Sequence, residues 1–177
     1  MENGHVNKEG SLRRLTLGEI ALAITVFGIA IAYHKVWIHC DSYLPFGLQK
    51  SNVAMAPNGE IYFRKHLYKE DFSTRPPDEQ YVFIHEMAHV WQCQKGMWVR
   101  ARGFFSWAVS YNYKLNKSRL GDYPMEQQAS IIADFFYIKN YGLGKFHGFY
   151  GRCYIGRIDK SILPIYKSMM HHAGLSV

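Results

Sequence analysis

The chain has 177 residues, which is enough for one domain with a substantial core. Apolar residues make up 48% of it, charged residues 20%, and there are three cysteines, a composition that excludes disordered and collagenous proteins and disulfide scaffolds. The formal net charge is +7 and is carried by residues 61–177, because residues 1–60 hold five basic and five acidic side chains.

The N-terminal part of the chain contains a polar arm followed by an apolar run. Residues 1–14 are expected to form a flexible arm, and residues 15–177 a single domain, since no repeat or long linker interrupts them. From Ile20 to Tyr33 no residue is charged, but a run of 14 residues is shorter than the roughly 20 that a membrane-spanning helix needs. We therefore expect no transmembrane segment.

Two interpretations of this apolar run compete. Arg13-Arg14 before it and Ala30-Ile31-Ala32 within it would suit a secretory signal peptide. The acidic Glu19 beside the run favours a buried amphipathic helix instead, as do apolar residues at steps of three and four. These recurring positions are Leu17, Ile20, Ile24, Phe27 and Ile31.

The middle of the chain predicts a small antiparallel sheet. Val36-Trp37-Ile38 is β-prone, and residues 53–56 and 60–63 flank the turn sequence Pro57-Asn58-Gly59. Proline fixes φ in such a turn, while asparagine and glycine tolerate positive φ. We therefore expect one strand and then a hairpin.

Helices are predicted for most of the remainder, so the expected fold class is α+β and mainly helical. Pro77 and the acids that follow it suit a helix start, and Gly96 suits its end. Further helices are expected over 99–117, from Pro124 to about Asn140, and over 159–172. The glycine- and aromatic-rich residues 141–157 are expected to form a loop.

The helix after Pro77 contains the motif His85-Glu86-Met87-Ala88-His89. Histidines at i and i+4 share one helical face, so their rings can converge on one ion, and zinc accepts neutral imidazole. Glu86 beside them could accept a proton from a water on that ion, which is the HExxH arrangement of zinc peptidases. Only about 0.02 such matches are expected by chance in a chain of this composition.

A catalytic zinc site needs a third protein ligand. The metzincin spacing is absent, because Gln92 and Lys95 stand where its glycine and third histidine would be. Glu126 is the only glutamate downstream of His89, and it follows Pro124 at a predicted helix start. We predict Glu126 as the third ligand. Asp122, Asp134 and His147 are the alternative candidates.

The oxyanion formed during peptide hydrolysis requires a second stabilising donor besides the metal. Tyr123 and His147 are candidates, and Tyr111, Tyr113 and Tyr150 remain open alternatives. The histidine ligands also need carboxylate or carbonyl partners for their other ring nitrogens, and Asp134 is one candidate.

Two stretches of the chain contain basic but no acidic residues. They lie between Lys95 and Arg119 and between Phe135 and Ile158. An anionic partner is one interpretation, but a solvated face is favoured because no nucleic-acid-binding motif accompanies them. We expect no specific nucleic-acid partner.

The sequence also resembles a bacterial zinc-metallopeptidase toxin family through His85-Glu86-Met87-Ala88-His89-Val90-Trp91-Gln92. Members of this family are similar to the C-terminal toxin domain of some VgrG-type type VI secretion spikes and are linked to Rhs and VgrG loci. The similarity continues in further segments: Leu15–Leu22, Val26–Gly28, Met55–Phe63, Asp71–Ser73 and Tyr123–Ala129. Ser130, four residues after Glu126, departs from the aspartate of better-known gluzincins.

The resemblance implies a zincin-like fold, Zn²⁺ held by His85, His89 and Glu126, and Glu86 as general base. It implies an antibacterial endopeptidase effector with a protein or peptide substrate, an immunity protein and a VgrG- or PAAR-type spike carrier. Such an effector is made in the cytoplasm, secreted without a cleaved signal peptide and active in the target periplasm. The resemblance also implies that the apolar run is a helix packed within the domain rather than a signal sequence that is removed.

Three alternatives to this reading follow from the sequence. The first is a zinc-stabilised, non-catalytic adaptor of a secretion system, in which the metal holds the fold. The second is a zinc amidase that acts on the cell wall and shares the same chemistry. The third is a protein anchored in a membrane by the apolar run.

Overall fold

The computed structural model describes residues 9–97 and 110–177, and within those ranges it shows an α+β fold of four helices and one three-stranded sheet. The strands are β1 (Ser11–Arg14), β2 (Trp37–Cys40) and β3 (Ile61–Phe63). The helices are α1 (Leu17–Phe27), α2 (Pro77–Gln94), α3 (Met125–Gly148) and α4 (Ile162–His172). Apolar side chains from all four helices and the sheet form one core, in which α2 packs most extensively against α3.

The sheet is mixed, so the prediction of an antiparallel sheet is wrong in part. Strand β2 is central: it pairs antiparallel with β1 and parallel with β3. The predicted hairpin survives only as an antiparallel bridge between Met55 and Tyr62. Because β3 pairs with β2 across more than twenty intervening residues, its direction depends on tertiary packing, which the local turn sequence does not report.

The end of the expected arm is a strand rather than a flexible segment. Arg13 in β1 forms a bidentate ion pair with the fully buried Glu19 of α1, at 2.8 and 2.7 Å. Glu19 also accepts hydrogen bonds from the backbone N–H groups of Thr16 and Phe72. This one carboxylate therefore ties together β1, the start of α1 and the segment before α2.

Helix α1 packs against the core, although its buried face differs from the predicted stripe. Thr16 and Glu19 form a capping box at its start, and Gly28 ends it with φ 53°. Ala23, Val26 and Phe27 are buried, whereas Leu17 is 87% exposed. No helix within 9–97 and 110–177 is long and apolar enough to cross a membrane.

The predicted bounds of α2 are confirmed. It begins at Pro77 with Asp78 and Glu79 in its first turn, and Gly96 follows its end with φ 79°. Hydrogen bonds from the N–H groups of Gly96 and Met97 to the carbonyls of Cys93 and Gln92 close the last turn.

Two predictions for the second half of the chain are wrong in part. For the expected helix over 99–117, residues 98–109 lie outside the described ranges, and residues 110–117 are not helical. There Tyr113 forms a parallel bridge with Tyr154 instead.

The expected loop over 141–157 begins later, because α3 continues to Gly148 through a break at Gly142, where φ is 85°. The buried Phe146 anchors the extra turn in the core.

Candidate metal centre

Helix α2 presents the two histidines of the motif on one face. The ring centroids of His85 and His89 lie 5.1 Å apart, with the rings nearly perpendicular. This is the arrangement expected of residues one helical turn apart. Both side chains lie at the contact between α2 and α3 and are largely buried, with 12% and 8% of their surface exposed.

Helix α3 brings Glu126 to these rings. Pro124 precedes the helix, which places Glu126 in its first turn. The Glu126 Oε2 atom lies 3.4 Å from His85 Nε2 and 3.1 Å from His89 Nε2. Each of the three residues offers one ligand atom, and these atoms all lie within 4.8 Å of one another. In the described part of the chain, no other group of three or more His, Cys, Asp or Glu residues could hold a metal ion.

The charged forms of Glu126 and His89 stabilise each other. Burial disfavours the charged forms, but the hydrogen bonds from His85 and His89 outweigh it and hold the pKa of Glu126 well below its usual range. Burial likewise opposes protonation of His89, yet its hydrogen bond to Glu126 raises the pKa of His89 to about 9. Without a metal, a proton on His89 therefore occupies the position where an ion would bind.

Glu86 lies beside the cluster and is buried without a full set of partners. Burial raises the pKa of its carboxyl group, which the nearby histidines lower and Glu126 raises further. Its Oε2 atom is buried and has no hydrogen-bond partner within residues 9–97 and 110–177. A buried carboxylate oxygen without a partner is costly, and a water or substrate group at this position would satisfy it.

Gln92 orients His89, a role that the sequence did not reveal. The distance between His89 Nδ1 and Gln92 Oε1 is 2.8 Å, while Gln92 Nε2 donates to the Met125 carbonyl at 3.0 Å. The amide orientation of Gln92 therefore makes His89 Nδ1 the donor and leaves Nε2 free for an ion. Gln92 also donates to Gln128 Oε1 at 3.3 Å, and Gln128 in turn donates to the Tyr123 carbonyl at 2.7 Å.

Asp134, which we considered as the partner of a histidine ligand, lies in a different cluster. It is fully buried and accepts hydrogen bonds from the Tyr113 hydroxyl and the Tyr154 N–H. Burial raises the pKa of Asp134 to about 7, against the lowering effect of these hydrogen bonds.

The two main candidates for the oxyanion donor do not face the cluster. The Tyr123 hydroxyl donates to the Lys114 carbonyl at 2.9 Å and accepts from the Lys117 N–H at 3.0 Å. His147 is exposed in the last turn of α3, whereas Glu126 is in the first turn. The sixteen helical residues from Glu126 to the break at Gly142 span about 24 Å. Among the alternatives, Tyr150 is fully exposed.

Tyr111 is the tyrosine that lies against the site. Its ring centroid is 5.8 Å from that of His85, and 42% of its surface is exposed. Burial, followed by the charges of Glu126 and Glu86, raises the pKa of Tyr111 to about 12. Its hydroxyl therefore keeps its proton at neutral pH and can act as a hydrogen-bond donor.

Comparison with known proteins gives one curated relative and one solved structure. No protein-family model matches the chain. The type VI secretion system spike protein VgrG2b of Pseudomonas aeruginosa is 41% identical over 136 residues, which cover 72% of this chain. The match covers only 13% of the spike protein.

The solved effector domain of Pseudomonas aeruginosa VgrG2b matches most of the fold. The two structures superimpose with a TM-score of 0.67 and 34% sequence identity, over 86% of this chain and 89% of the effector domain. Identity and coverage at this level show common descent as well as a shared fold. The chain belongs to the family of the VgrG2b effector domain.

Proposed function

We propose that this chain is a zinc-dependent endopeptidase that acts as a type VI secretion effector. The observation that carries the proposal is the approach of Glu126 Oε2 to the Nε2 atoms of His85 and His89, at 3.4 and 3.1 Å. Two imidazoles and one carboxylate form a ligand set of catalytic zinc, and three protein ligands leave a position for water. The unpartnered Glu86 Oε2 fits the same site, because a general base must have an oxygen free to accept a proton.

The proposed chemistry divides between the metal and this chain's own residues. Zinc, when bound, lowers the pKa of water towards about 7 and polarises a carbonyl. Glu86 accepts a proton from the attacking water, and its burial raises its pKa and makes it a better base. The water oxygen forms a bond to the peptide carbon, and Glu86 returns the proton to the amine as the C–N bond breaks.

The effector role is supported by the similarity of this chain to the effector domain of VgrG2b. VgrG2b is a spike protein of the type VI secretion system, and its matched region is an effector domain. We propose that a VgrG- or PAAR-type spike carries this chain from the producing cytoplasm without a cleaved signal peptide. We further propose a protein or peptide substrate in the target periplasm and a cognate immunity protein.

The test is expression of wild-type protein and Glu86→Gln in the bacterial cytoplasm and, with an added export signal, in the periplasm. Glu86→Gln keeps the side-chain volume but removes the base, so we expect toxicity in the periplasm to be lost while zinc content and expression stay unchanged. The exposed Glu70→Gln is the matched control and should remain toxic. Equal toxicity of Glu86→Gln and wild type would refute the proposed mechanism.

A His85→Ala variant and the identity of the released products separate the alternative functions. If zinc only stabilises an adaptor, His85→Ala should unfold the chain, whereas Glu86→Gln should change nothing. A cell-wall amidase would also depend on Glu86, but it would release peptidoglycan peptides rather than cleave proteins.

A further inference from the structure

Tyr111 lies on an extended segment that is held at the metal centre by α3. This segment, residues 110–113, is not helical, and its Tyr111 ring packs beside the His85 ring at 5.8 Å. The ring is neither buried in the core nor fully exposed, since 42% of its surface is accessible. A bound substrate would therefore reach the phenol from the solvent side of the cluster.

The first attachment of this segment is next to the candidate metal ligand. Gln127 follows Glu126 in α3, and its Nε2 donates to the carbonyls of Asn112 at 2.8 Å and Ser110 at 3.4 Å. These two carbonyls flank Tyr111 in sequence. The same helical turn therefore fixes both the Glu126 carboxylate and the backbone on either side of Tyr111.

The second attachment is the buried Asp134 cluster. The Tyr113 hydroxyl donates to Asp134 Oδ2 at 2.6 Å, and the Tyr166 hydroxyl of α4 completes the chain by donating to Tyr113. Asp134 also accepts from the N–H groups of Tyr154 at 2.9 Å and Cys153 at 3.4 Å. Tyr113 also forms backbone hydrogen bonds with the neighbouring residues, to the Cys153 carbonyl at 3.1 Å and from the Ile155 N–H at 2.8 Å.

Because Asp134 is fully buried and lies eight residues beyond Glu126 in α3, this cluster fixes a second point of the segment relative to the metal centre. A buried carboxylate is costly to desolvate, and only a complete network of hydrogen bonds offsets that cost. Its partners include Tyr113 of the 110–113 segment and the N–H groups of residues 153 and 154, which are bridged to that segment. Tyr81 of α2 also contributes a side-chain hydrogen bond. The network therefore determines where Tyr111 lies.

We propose that Tyr111 donates the second hydrogen bond to the oxyanion formed during hydrolysis, and that Gln127 and Asp134 act as positioning residues for it. This inference rests on the proposed function of the metal centre. No covalent bond to Tyr111 forms or breaks, since its O–H donates a hydrogen bond as negative charge develops on the carbonyl oxygen. Tyr111 is thus assigned as a catalytic residue, and the other two act only through it.

The contrasting role for Tyr111 is a shield that covers the His85 ring and keeps water away from the ligands. Phenylalanine preserves a shield but removes the donor, so Tyr111→Phe separates the two roles. The fully exposed Tyr150 provides a matched Tyr→Phe control.

The first experiment measures oxyanion binding rather than turnover. Inorganic phosphate is titrated into Co²⁺-loaded protein and followed by the visible spectrum of the metal. We expect Tyr111→Phe to weaken phosphate binding about tenfold, as for loss of one hydrogen bond to a charged group, with Co²⁺ affinity unchanged. Tyr150→Phe should match wild type. A phosphate Kd for Tyr111→Phe equal to that of wild type would overturn the inference.

The second experiment tests the positioning residues with double-mutant cycles. Gln127→Ala and Asp134→Asn should each weaken phosphate binding in the wild-type background, by up to the tenfold effect of Tyr111→Phe, and should have no effect in the Tyr111→Phe background. Additive effects would show that they do not act through Tyr111. Gln127 lies at the surface end of the network, so Gln127→Ala remains informative if Asp134→Asn fails to fold.

The outcomes also distinguish this inference from the proposed function. If wild-type protein binds no stoichiometric zinc, or if Glu86→Gln stays toxic, the proposed function itself fails. If those tests succeed while Tyr111→Phe binds phosphate like wild type, only the assignment of Tyr111 fails.

Discussion

At the scale of single residues, Gln92 shows how the chain orients a candidate metal ligand without a carboxylate. Its amide accepts from His89 and donates to the Met125 carbonyl, so one side chain fixes the tautomer of a ligand and contacts the helix that carries Glu126. The orienting role is thus taken by a residue on α2 itself.

We predict that Gln92→Ala weakens zinc binding about 10- to 100-fold, because His89 loses the acceptor that holds its ring and tautomer. The fully buried network also loses its donor to Met125, which should lower the free energy of unfolding by about 1–3 kcal/mol. Competition with a chromogenic chelator measures the affinity, and urea unfolding measures the stability.

Gln94→Ala is the control for this substitution. Gln94 is on the same helix, but its side chain bonds only the Ala32 backbone at the surface. It should leave zinc affinity unchanged. Equal zinc affinity in wild type, Gln92→Ala and Gln94→Ala would contradict the assigned role of Gln92.

At the scale of secondary-structure elements, the candidate metal centre forms because helix α2 packs against helix α3. The HExxH histidines could be predicted because residues at i and i+4 on a helix are neighbours whatever the tertiary fold. Glu126 was predicted by elimination and by the family resemblance rather than by spacing, since its contact with the histidines depends on how α3 packs against α2. The orienting role of Gln92 was not predicted, because it requires the Met125 carbonyl of α3. Tyr111 was one of five candidate donors that the sequence could not rank, because its position beside His85 depends on tertiary packing.

The same reasoning explains the errors in secondary structure. The parallel pairing of β3 with β2 is non-local, so the turn at Pro57-Asn58-Gly59 correctly indicates a reversal but says nothing about which strand lies alongside. The glycines after Asn140 predicted a loop, but the helix resumes after Gly142 and the Phe146 side chain is buried in the core. Burial outweighs local propensity at that position.

The ion pair between α2 and α3 predicts a pH dependence of the metal-free protein. The folded pKa of His89 is raised from 6.5 to about 9, so its stabilisation is complete below pH 6.5 and is lost as the pH rises to 9. The pKa of Glu126 is lowered, so its contribution is present above its ordinary value of 4.5 and is lost as the pH falls. The pair therefore stabilises most between about pH 4.5 and 6.5.

We expect the Tm of metal-free wild type to exceed that of metal-free Glu126→Gln in this window, and the difference to shrink between pH 6.5 and 9. Comparison of the two proteins cancels the titration of Asp134, whose raised pKa affects both. Zinc affinity of the wild type should rise over the same interval, since zinc competes with the proton on His89. A Tm difference that stays constant from pH 6 to pH 9 would contradict the ion pair.

At the scale of the whole molecule, one apolar core joins the four helices and the sheet. The candidate ligands lie on two helices that pack extensively against each other, and both helices bury apolar side chains, among them Ile84, Met87, Ile132 and Ala133. This arrangement is typical of a catalytic site built on a stable scaffold, and it differs from small metal-dependent domains that unfold without their ion.

We therefore predict that removal of zinc with a chelator lowers the Tm but leaves the protein folded at 25 °C. If free zinc is present at about 100 times its Kd, its contribution to stability should be about 2.7 kcal/mol. Far-UV circular dichroism of the chelated protein should keep its helical signal. Loss of that signal on chelation would support the structural-zinc adaptor instead.

The most direct test of the central claim is to sequence the new N-termini that the zinc-loaded chain produces in a periplasmic extract. Mass spectrometry would compare wild type with Glu86→Gln at equal zinc content, with Glu70→Gln as the control. The account predicts new protein N-termini with wild type and Glu70→Gln and none with Glu86→Gln. The same set of N-termini from all three proteins, or none from wild type, would contradict it.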